Sequence, residues 1–125
     1  LGNKNILLQC FINILNNTKD AMIMSNIATH KRYLFIQTKI DEDKNIKISF
    51  KDSAGGIQED IIDKIFEPYF STKGELQGTG LGLYMTHNII FKKFKGTIIV
   101  ENCEYEFRGE KLKGANFIVT IPIVN

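Results

Sequence analysis

The order of four short sequence blocks constrains this 125-residue chain more than any single motif in it. The first block is rich in Asn, and the second sets an Asp before two glycines. The third mixes aromatic residues with a Lys, and the fourth holds three glycines in five residues. The blocks are Asn13-Ile14-Leu15-Asn16-Asn17, Asp52-Ser53-Ala54-Gly55-Gly56, Phe66-Glu67-Pro68-Tyr69-Phe70-Ser71-Thr72-Lys73 and Gly78-Thr79-Gly80-Leu81-Gly82-Leu83. Each is weak alone, but together they indicate the parts of one binding site.

Composition narrows the class of protein. A length of 125 residues with 43% hydrophobic content suits a single globular domain over residues 1–125. The net charge of +2 argues against a dedicated nucleic-acid binder, which would concentrate basic residues on one face. No apolar run approaches the roughly 20 residues that cross a bilayer, and no signal peptide is visible. The chain starts at Leu1 without a Met, so we expect a domain cut from a longer protein.

The two cysteines bear on the cellular compartment. Cys10 lies on an apolar helical stripe, and Cys103 lies in a late strand-like run. Isolated cysteines fit reduced thiols of a cytoplasmic protein better than a disulfide framework or a metal site.

The hydrophobic pattern predicts helices and strands in a definite order. Helical spacing predicts a first helix from about Asn5 to Met24, with Thr18 on the apolar side and Asn13, Asn17 and Asp20 opposite. Strands are predicted over 33–40, 46–50, 97–100 and 115–121, further helices over 58–65 and 80–94, and a charged loop over 104–114. This order predicts an α+β fold, a two-layer sandwich of one sheet with its helices on one side.

Asn13 and Asn17 stand four residues apart on the polar side of the first helix. Their amide oxygens are hard, neutral ligands that suit Mg²⁺, which takes a few protein oxygens together with waters and phosphates. The alternative is an ordinary polar face that meets solvent, and the two asparagines alone do not exclude it.

Asp52 follows a strand directly and precedes a Gly turn that ends at Ile57. A carboxylate in that place can accept a hydrogen bond from the exocyclic amine of adenine. Gly56 has no side chain, so the backbone can pass close to a ring. The alternative is an ordinary strand-to-helix turn in which Asp52 makes local hydrogen bonds.

The stretch from Gly78 to Gly82 opens a helix, where free amides and the helix dipole favour an anion. It lacks the Gly-Lys-Ser/Thr of a P-loop. A dinucleotide fingerprint would need a glycine at Leu83, and a protein-kinase glycine loop would lead into a strand. A flexible glycine hinge is the remaining alternative.

Lys73 is the only Lys or Arg between Lys64 and Lys92. It stands in the loop before the Gly-rich helix, from which it can reach a β- or γ-phosphate. The alternative is a solvated surface lysine.

In order and spacing, the four blocks resemble the N, G1, F and G2 boxes of the catalytic, ATP-binding domain of two-component sensor histidine kinases. That family belongs to a superfamily with gyrase-type topoisomerases, heat-shock chaperones and mismatch-repair ATPases. The resemblance implies a mixed sheet of about five strands covered on one face by three helices, the Bergerat fold. The chain shows one strand fewer, which we attribute to truncation before Leu1.

The resemblance also implies roles for individual residues. Asn17 would hold Mg²⁺ with Asn13 beside it, and Asp52 would bind the adenine amine. ATP would contact a further set of residues, namely Gly56, Ile57, Lys73, Gly78, Thr79, Gly80, Leu81 and Gly82. The chain departs from its relatives at Ser53, where they carry Asn, at Ala54, where they carry Gly, and at Asp20, where many carry a basic residue. The departure at Asp20 leaves more of the phosphate charge to Lys73 and the glycine amides.

The residue at position 13 bears on mechanism. Members of the superfamily that hydrolyse ATP place a Glu four residues before the Mg²⁺ ligand as the base for water, and this chain has Asn13 there. The expected activity is donation of the γ-phosphoryl group to a His on a separate dimerisation domain, with Asn13, Asn17 and Lys73 as the catalytic residues. The expected partners are that domain, in a homodimeric parent, and a response regulator, in a cytoplasmic part of a bacterial sensor. His30 and His87 are expected to be structural.

Two other functions fit the same blocks. One is a serine kinase of the anti-sigma-factor type, whose members usually carry Glu at the position of Asn13. The other is a non-catalytic ATP-sensing module in which the nucleotide only orders the loop before the Gly-rich helix.

Overall fold

The computed structural model describes residues 2–70 and 82–123. Two α-helices and four strands make up this part, together with short 3₁₀ turns at Thr29–Lys31 and Ile62–Lys64. In chain order the elements are α1 (Gly2–Met24), β1 (Leu34–Ile40), β2 (Asn45–Asp52), α2 (Gly82–Phe94), β3 (Thr97–Phe107) and β4 (Glu110–Pro122).

The four strands form one sheet in the order β1-β2-β4-β3, and all three pairings are antiparallel. Phe50 stands opposite Ile36 on one side and Phe117 on the other, which fixes the register at the centre of the sheet. Asp41 shapes the turn between β1 and β2, because its carboxylate accepts hydrogen bonds from the backbone N–H groups of Asp43 and Asn45.

The core lies between the helices and one face of the sheet. The buried stripe of α1 repeats every four residues, at Cys10, Ile14, Thr18 and Met22. Facing it are the inward side chains of β2, β3 and β4, with Ile90 of α2 completing the layer. The central members of this core are Phe50, Ile98, Phe117 and Val119. Cys10 and Cys103 are both free thiols, and burial raises the pKa of each.

The predicted α+β, two-layer class is confirmed, while the numbers of elements differ. Among the described residues the sheet has four strands and is purely antiparallel, whereas a mixed sheet of about five strands was expected. Two antiparallel hairpins, β1–β2 and β3–β4, supply all four strands, and the β2–β4 pairing that joins them is antiparallel as well. The helix predicted over 58–65 is reduced to a 3₁₀ turn at Ile62–Lys64. No helix in these ranges has the length and apolar content needed to span a bilayer.

The charged loop predicted over 104–114 is wrong, because this segment forms the turn end of a long β-hairpin. Tyr105 and Phe107 alternate with glutamates along β3, which is the period of a strand with one face covered. Arg108 and Gly109 make the tight turn, both with positive φ (53° and 80°). Charged residues dominate the composition of the segment, and they obscured the alternation of aromatic and charged residues along it.

The end of this hairpin curls over the face of the sheet that the helices leave open. There Phe107 packs edge-on against Tyr33 and Phe35, with ring centroids 4.9 Å apart in each case. The ammonium of Lys51 lies 4.3 Å from the ring centroid of Tyr105, a cation–π contact. A second, smaller aromatic cluster therefore anchors β3 and β4 beside the end of β2.

Gly96 and Gly109 allow the cost of a steric clash to be compared with the cost of an unfavourable backbone conformation. A Cβ on Gly96 would collide with the backbone carbonyl of Thr120, whereas a Cβ on Gly109 would meet nothing within 4 Å and suffer only from its φ of +80°. We expect Gly109→Ala to lower the free energy of unfolding by about 1–2 kcal/mol, the cost of the left-handed conformation. Gly96→Ala should cost more than Gly109→Ala, since α2 and β4 must move apart. Denaturant unfolding of the two variants measures both losses. A larger loss of unfolding free energy in Gly109→Ala than in Gly96→Ala would contradict the close packing at Gly96.

Candidate functional site

Asp52, the last residue of β2, directs its carboxylate toward the helices and is only 2% exposed. Its Oδ1 accepts hydrogen bonds from the backbone N–H groups of Ala54 and Ala115, each 3.0 Å long. Its Oδ2 accepts a hydrogen bond of 3.3 Å from the hydroxyl of Thr18. One carboxylate thus joins β2, the turn after it, β4 and α1.

Burial raises the pKa of Asp52 above its ordinary value, although the bonds from Ala115, Ala54 and Thr18 act in the opposite direction. Desolvation disfavours the charged form, and hydrogen bonds to the carboxylate only partly offset it. A carboxylate in this state has acceptor capacity left on Oδ2, because each carboxylate oxygen offers two lone pairs.

Gly114 permits the close approach of β4 to Asp52. A Cβ at this position would collide with the backbone carbonyl of Asp52 and lie 2.8 Å from its Oδ1. The same carbonyl accepts a hydrogen bond of 2.7 Å from the hydroxyl of Tyr105, and burial raises the pKa of that phenol to about 12. The hairpin formed by β3 and β4 therefore supports Asp52 from the side opposite to Thr18.

A second polar contact joins α1 to the start of α2. Asn13 accepts a hydrogen bond of 3.2 Å from the amide of Gln9 through Oδ1, and its Nδ2 donates to the hydroxyl of Thr86 over 3.1 Å. Thr86 is fully buried and donates its own proton to the carbonyl of Gly82, 2.9 Å away. Asn13 is thereby connected to the last glycine of the fourth block.

Asn17 lies one turn beyond Asn13 on α1 and is half-buried. It stands next to Thr18 in sequence, and therefore between the contact to Asp52 and the contact to Thr86. Among the described residues no side chain forms a hydrogen bond with its amide. As far as residues 2–70 and 82–123 are concerned, its oxygen is available to a ligand.

The turn after Asp52 is held from the side of β3. Gly55 and Gly56 both have positive φ, 97° and 85°, which explains the two glycines. The N–H and C=O of Ile57 both bond to the side chain of Asn102, over 2.7 Å each. Gly56 and Ile57, two of the predicted nucleotide contacts, are therefore placed by a strand residue that the sequence pattern did not single out.

The departures at Ser53 and Ala54 have structural explanations. Ser53 is buried, donates its hydroxyl proton to the carbonyl of Lys31 over 2.6 Å, and accepts from the N–H of Tyr33 over 2.8 Å. Ala54 is also buried, and its N–H is one of the two that hold Asp52. Ser53 thus fastens the turn to the segment before β1, whereas Ala54 helps to hold Asp52.

Part of the predicted site lies outside the described residues. Lys73, Gly78, Thr79, Gly80 and Leu81 belong to the range 71–81. Residues 66–70 of the third block are described. The ring of Phe66 packs against Phe117 and His87 with centroid distances of 6.3 and 5.5 Å. His87 is thus in contact with the core, in agreement with its predicted structural role.

Nearly the whole chain matches a known protein family in sequence. Residues 2–125 fit the model of the family described as histidine kinase-, DNA gyrase B-, and HSP90-like ATPases. The chain belongs to this family. The chain is 33% identical over 122 residues to the two-component sensor PprA of Pseudomonas aeruginosa. It is 34% identical over 119 residues to sporulation kinase E of Bacillus subtilis. These alignments cover 98% and 95% of the ATPase domain but only 12% and 14% of the two relatives.

Solved structures give the same assignment. The nucleotide-free catalytic domain of histidine kinase ThkA superposes with a TM-score of 0.68 at 32% identity, covering 91% of the ATPase domain and 64% of the ThkA chain. The predicted resemblance to sensor histidine kinase catalytic domains is confirmed. The two-layer fold of the ATPase domain is confirmed with it.

Four residues of the site were missed or misjudged from the sequence. Thr18 was placed with the apolar stripe of α1, and its position is right, but its hydroxyl serves Asp52. Thr86, Asn102 and Gly114 were not assigned any role. The only signal available for Asn102 was its presence in a strand, where Asn is uncommon.

Asp52→Asn tests the electrostatic account of the site. In the folded protein the pKa of Asp52 is raised above its ordinary value of 3.8, so the folded state binds this proton more tightly than the unfolded state. Stability contributed by this group is therefore greatest at low pH and falls as pH rises from 3.8 to the raised pKa. Asp52→Asn does not titrate, so its free energy of unfolding should rise relative to wild type across that window and then stay level.

Denaturant unfolding at a series of pH values measures this difference. The same substitution at exposed Asp60 is the matched control for the change of a carboxylate to an amide. A stability of Asp52→Asn that falls relative to wild type as pH rises would contradict a desolvated carboxylate.

Proposed function

We propose that this domain binds Mg-ATP and donates the γ-phosphoryl group to a histidine on a separate dimerisation domain. The supporting observation is that α1 contacts both glycine-containing segments. Thr18 bonds to Asp52 over 3.3 Å, and Asn13 bonds to Thr86 over 3.1 Å. Asn17 lies between these contacts, so a nucleotide lying along α1 would reach both segments.

Asp52 is proposed to bind the adenine end. Its Oδ1 is occupied by the N–H groups of Ala54 and Ala115, so the remaining lone pair of Oδ2 is assigned to the exocyclic amine. A carboxylate has no proton to offer a carbonyl, and guanine presents a carbonyl where adenine presents the amine. The turn through Gly56 and Ile57 is proposed to border the ring, to which Ile57 offers an apolar, half-buried side chain.

Asn17 is proposed to hold Mg²⁺ at the phosphate end. Its neutral amide oxygen has no side-chain partner in the described part of the chain, which fits a cation that takes few protein ligands. Asn13 keeps one lone pair of Oδ1 beside it, since Gln9 occupies the other. When bound, Mg²⁺ would neutralise phosphate charge. Lys73 and the segment 78–82 are proposed to complete the phosphate contacts on the strength of the sequence motif.

The side chain of Asn13 favours transfer over hydrolysis. An amide cannot accept a proton near neutral pH, and this amide is further engaged by Gln9 and Thr86. Phosphoryl transfer requires positioning and charge neutralisation more than a base. The domain is therefore proposed to protect ATP from water until the acceptor histidine enters.

The proposed setting is the cytoplasmic part of a sensor kinase. The two free cysteines suit a reducing compartment, and the proposed donor, ATP, is supplied there. The parent protein is proposed to be a homodimer whose phosphohistidine passes the group to a response regulator.

The nucleotide assignment predicts the behaviour of Asn17→Ala. Removing the proposed metal ligand should weaken Mg-ATP binding at least tenfold. The fold should persist, because no side chain in residues 2–70 and 82–123 bonds to the Asn17 amide. Asn16→Ala is the matched control, because Asn16 is the exposed neighbour on the same helix. Calorimetric titration of both variants with Mg-ATP decides between them. Equal affinity in Asn17→Ala and wild type would refute the metal role.

The phosphotransfer assignment predicts a result with labelled ATP. The domain alone should hydrolyse ATP only slowly and form no phosphohistidine. Adding the helical domain of its parent, or supplying the full-length protein, should produce acid-labile phosphohistidine on that partner. Phosphoserine on a partner protein would instead support an anti-sigma-type kinase. ATP binding with no transfer to any partner would support a non-catalytic ATP sensor.

A further inference from the structure

Asn102 of β3 forms a two-point contact with the turn that follows Asp52. Its Oδ1 accepts the N–H of Ile57 and its Nδ2 donates to the C=O of the same residue, both over 2.7 Å. The Nδ2 group also donates to a carboxylate oxygen of Glu59 over 3.2 Å. One side-chain amide thus reproduces, for a single residue of the turn, the pair of bonds that a neighbouring strand would make.

Gly56 fits this contact closely. A Cβ on Gly56 would stand 3.0 Å from the Oδ1 of Asn102, tighter than ordinary packing allows. Its φ of +85° also disfavours any other residue. Asn102 and the missing side chain of Gly56 therefore belong to one arrangement, in which the turn lies directly on β3.

The turn is anchored to the sheet at three successive positions along the chain. Asp52 is held by the N–H groups of Ala54 and Ala115, and the N–H of Gly55 donates to the carbonyl of Lys113 over 2.9 Å. Asn102 supplies the last anchor, two residues further on. Without it, the segment beyond Gly55 would have no described hydrogen bond to the sheet.

We propose that Asn102 is a positioning residue for nucleotide binding, which holds Gly56 and Ile57 against the base that Asp52 recognises. This inference rests on the proposed function. Asn102 is exposed, and an exposed hydrogen bond adds little to global stability because water competes for both partners. Its contribution is therefore to the geometry of the turn more than to the stability of the fold.

Asn102→Ala and Asn102→Asp test the proposal in graded fashion. Alanine removes both bonds to Ile57. Aspartate keeps the acceptor, loses the donor and places a second negative charge beside Glu59. We expect the Kd for Mg-ATP to rise about tenfold in Asn102→Ala and by a smaller factor in Asn102→Asp. Asn102→Asp combined with Glu59→Gln removes the repulsion and should recover part of the affinity.

Amide hydrogen exchange separates positioning from a general structural role. In Asn102→Ala the amide of Ile57 should exchange faster, while the amide of Ala115, bonded to Asp52, should keep its protection. Faster exchange at Ile57 with an ATP affinity within twofold of wild type would overturn the proposal. Unchanged exchange at Ile57 would overturn it as well, and so would loss of protection at Ala115.

The affinity of the wild-type domain for Mg-ATP is measured first. A wild-type domain that fails to bind Mg-ATP would overturn the proposed function, and this inference with it. A wild type that binds, together with an Asn102→Ala variant of equal affinity, overturns only the role of Asn102.

Discussion

Asp52 carries its carboxylate into an almost dry part of the protein, where four chain segments converge on that one group. Burial of a charge is expensive unless hydrogen bonds replace the lost water, and here Ala54, Ala115 and Thr18 do so. Gly114 keeps the approach of β4 open. The positions of the turn, the hairpin and α1 relative to one another follow from the need to satisfy this carboxylate.

Helix α1 then transmits that arrangement to the other end of the site. Thr18 and Asn13 lie about one and a half turns apart on the same helix, so the first contact fixes where the second can form. Asn13 reaches Thr86, and Thr86 reaches the carbonyl of Gly82 at the start of α2. The distance between the Asp52 carboxylate and the Gly-rich helix start is set by a rigid element and two threonine hydroxyls.

Much of the fold was predictable because its signals are local. The helical stripe of α1 and the alternation of β2 depend on periods that a single segment reveals, and the four blocks stand in the order of their family. Thr18 and Asn102 were beyond reach for a physical reason. Each acts through a partner 34 or 45 residues away, and nothing in a segment's own pattern shows which distant backbone group its polar side chain will meet. The hairpin of β3 and β4 was missed because its exposed face carries most of the charge.

That hairpin forms the back wall of the proposed site. From it come the N–H of Ala115, the open space at Gly114 and the hydroxyl of Tyr105 on the carbonyl of Asp52. Its tip is held in place by the contact of Lys51 with Tyr105 and by the aromatic rings of the open face. The open face of the sheet thus stabilises the hairpin, the hairpin stabilises Asp52, and Asp52 fixes the turn. A perturbation on the side of the sheet without helices therefore reaches the proposed nucleotide site through contacts between neighbouring residues.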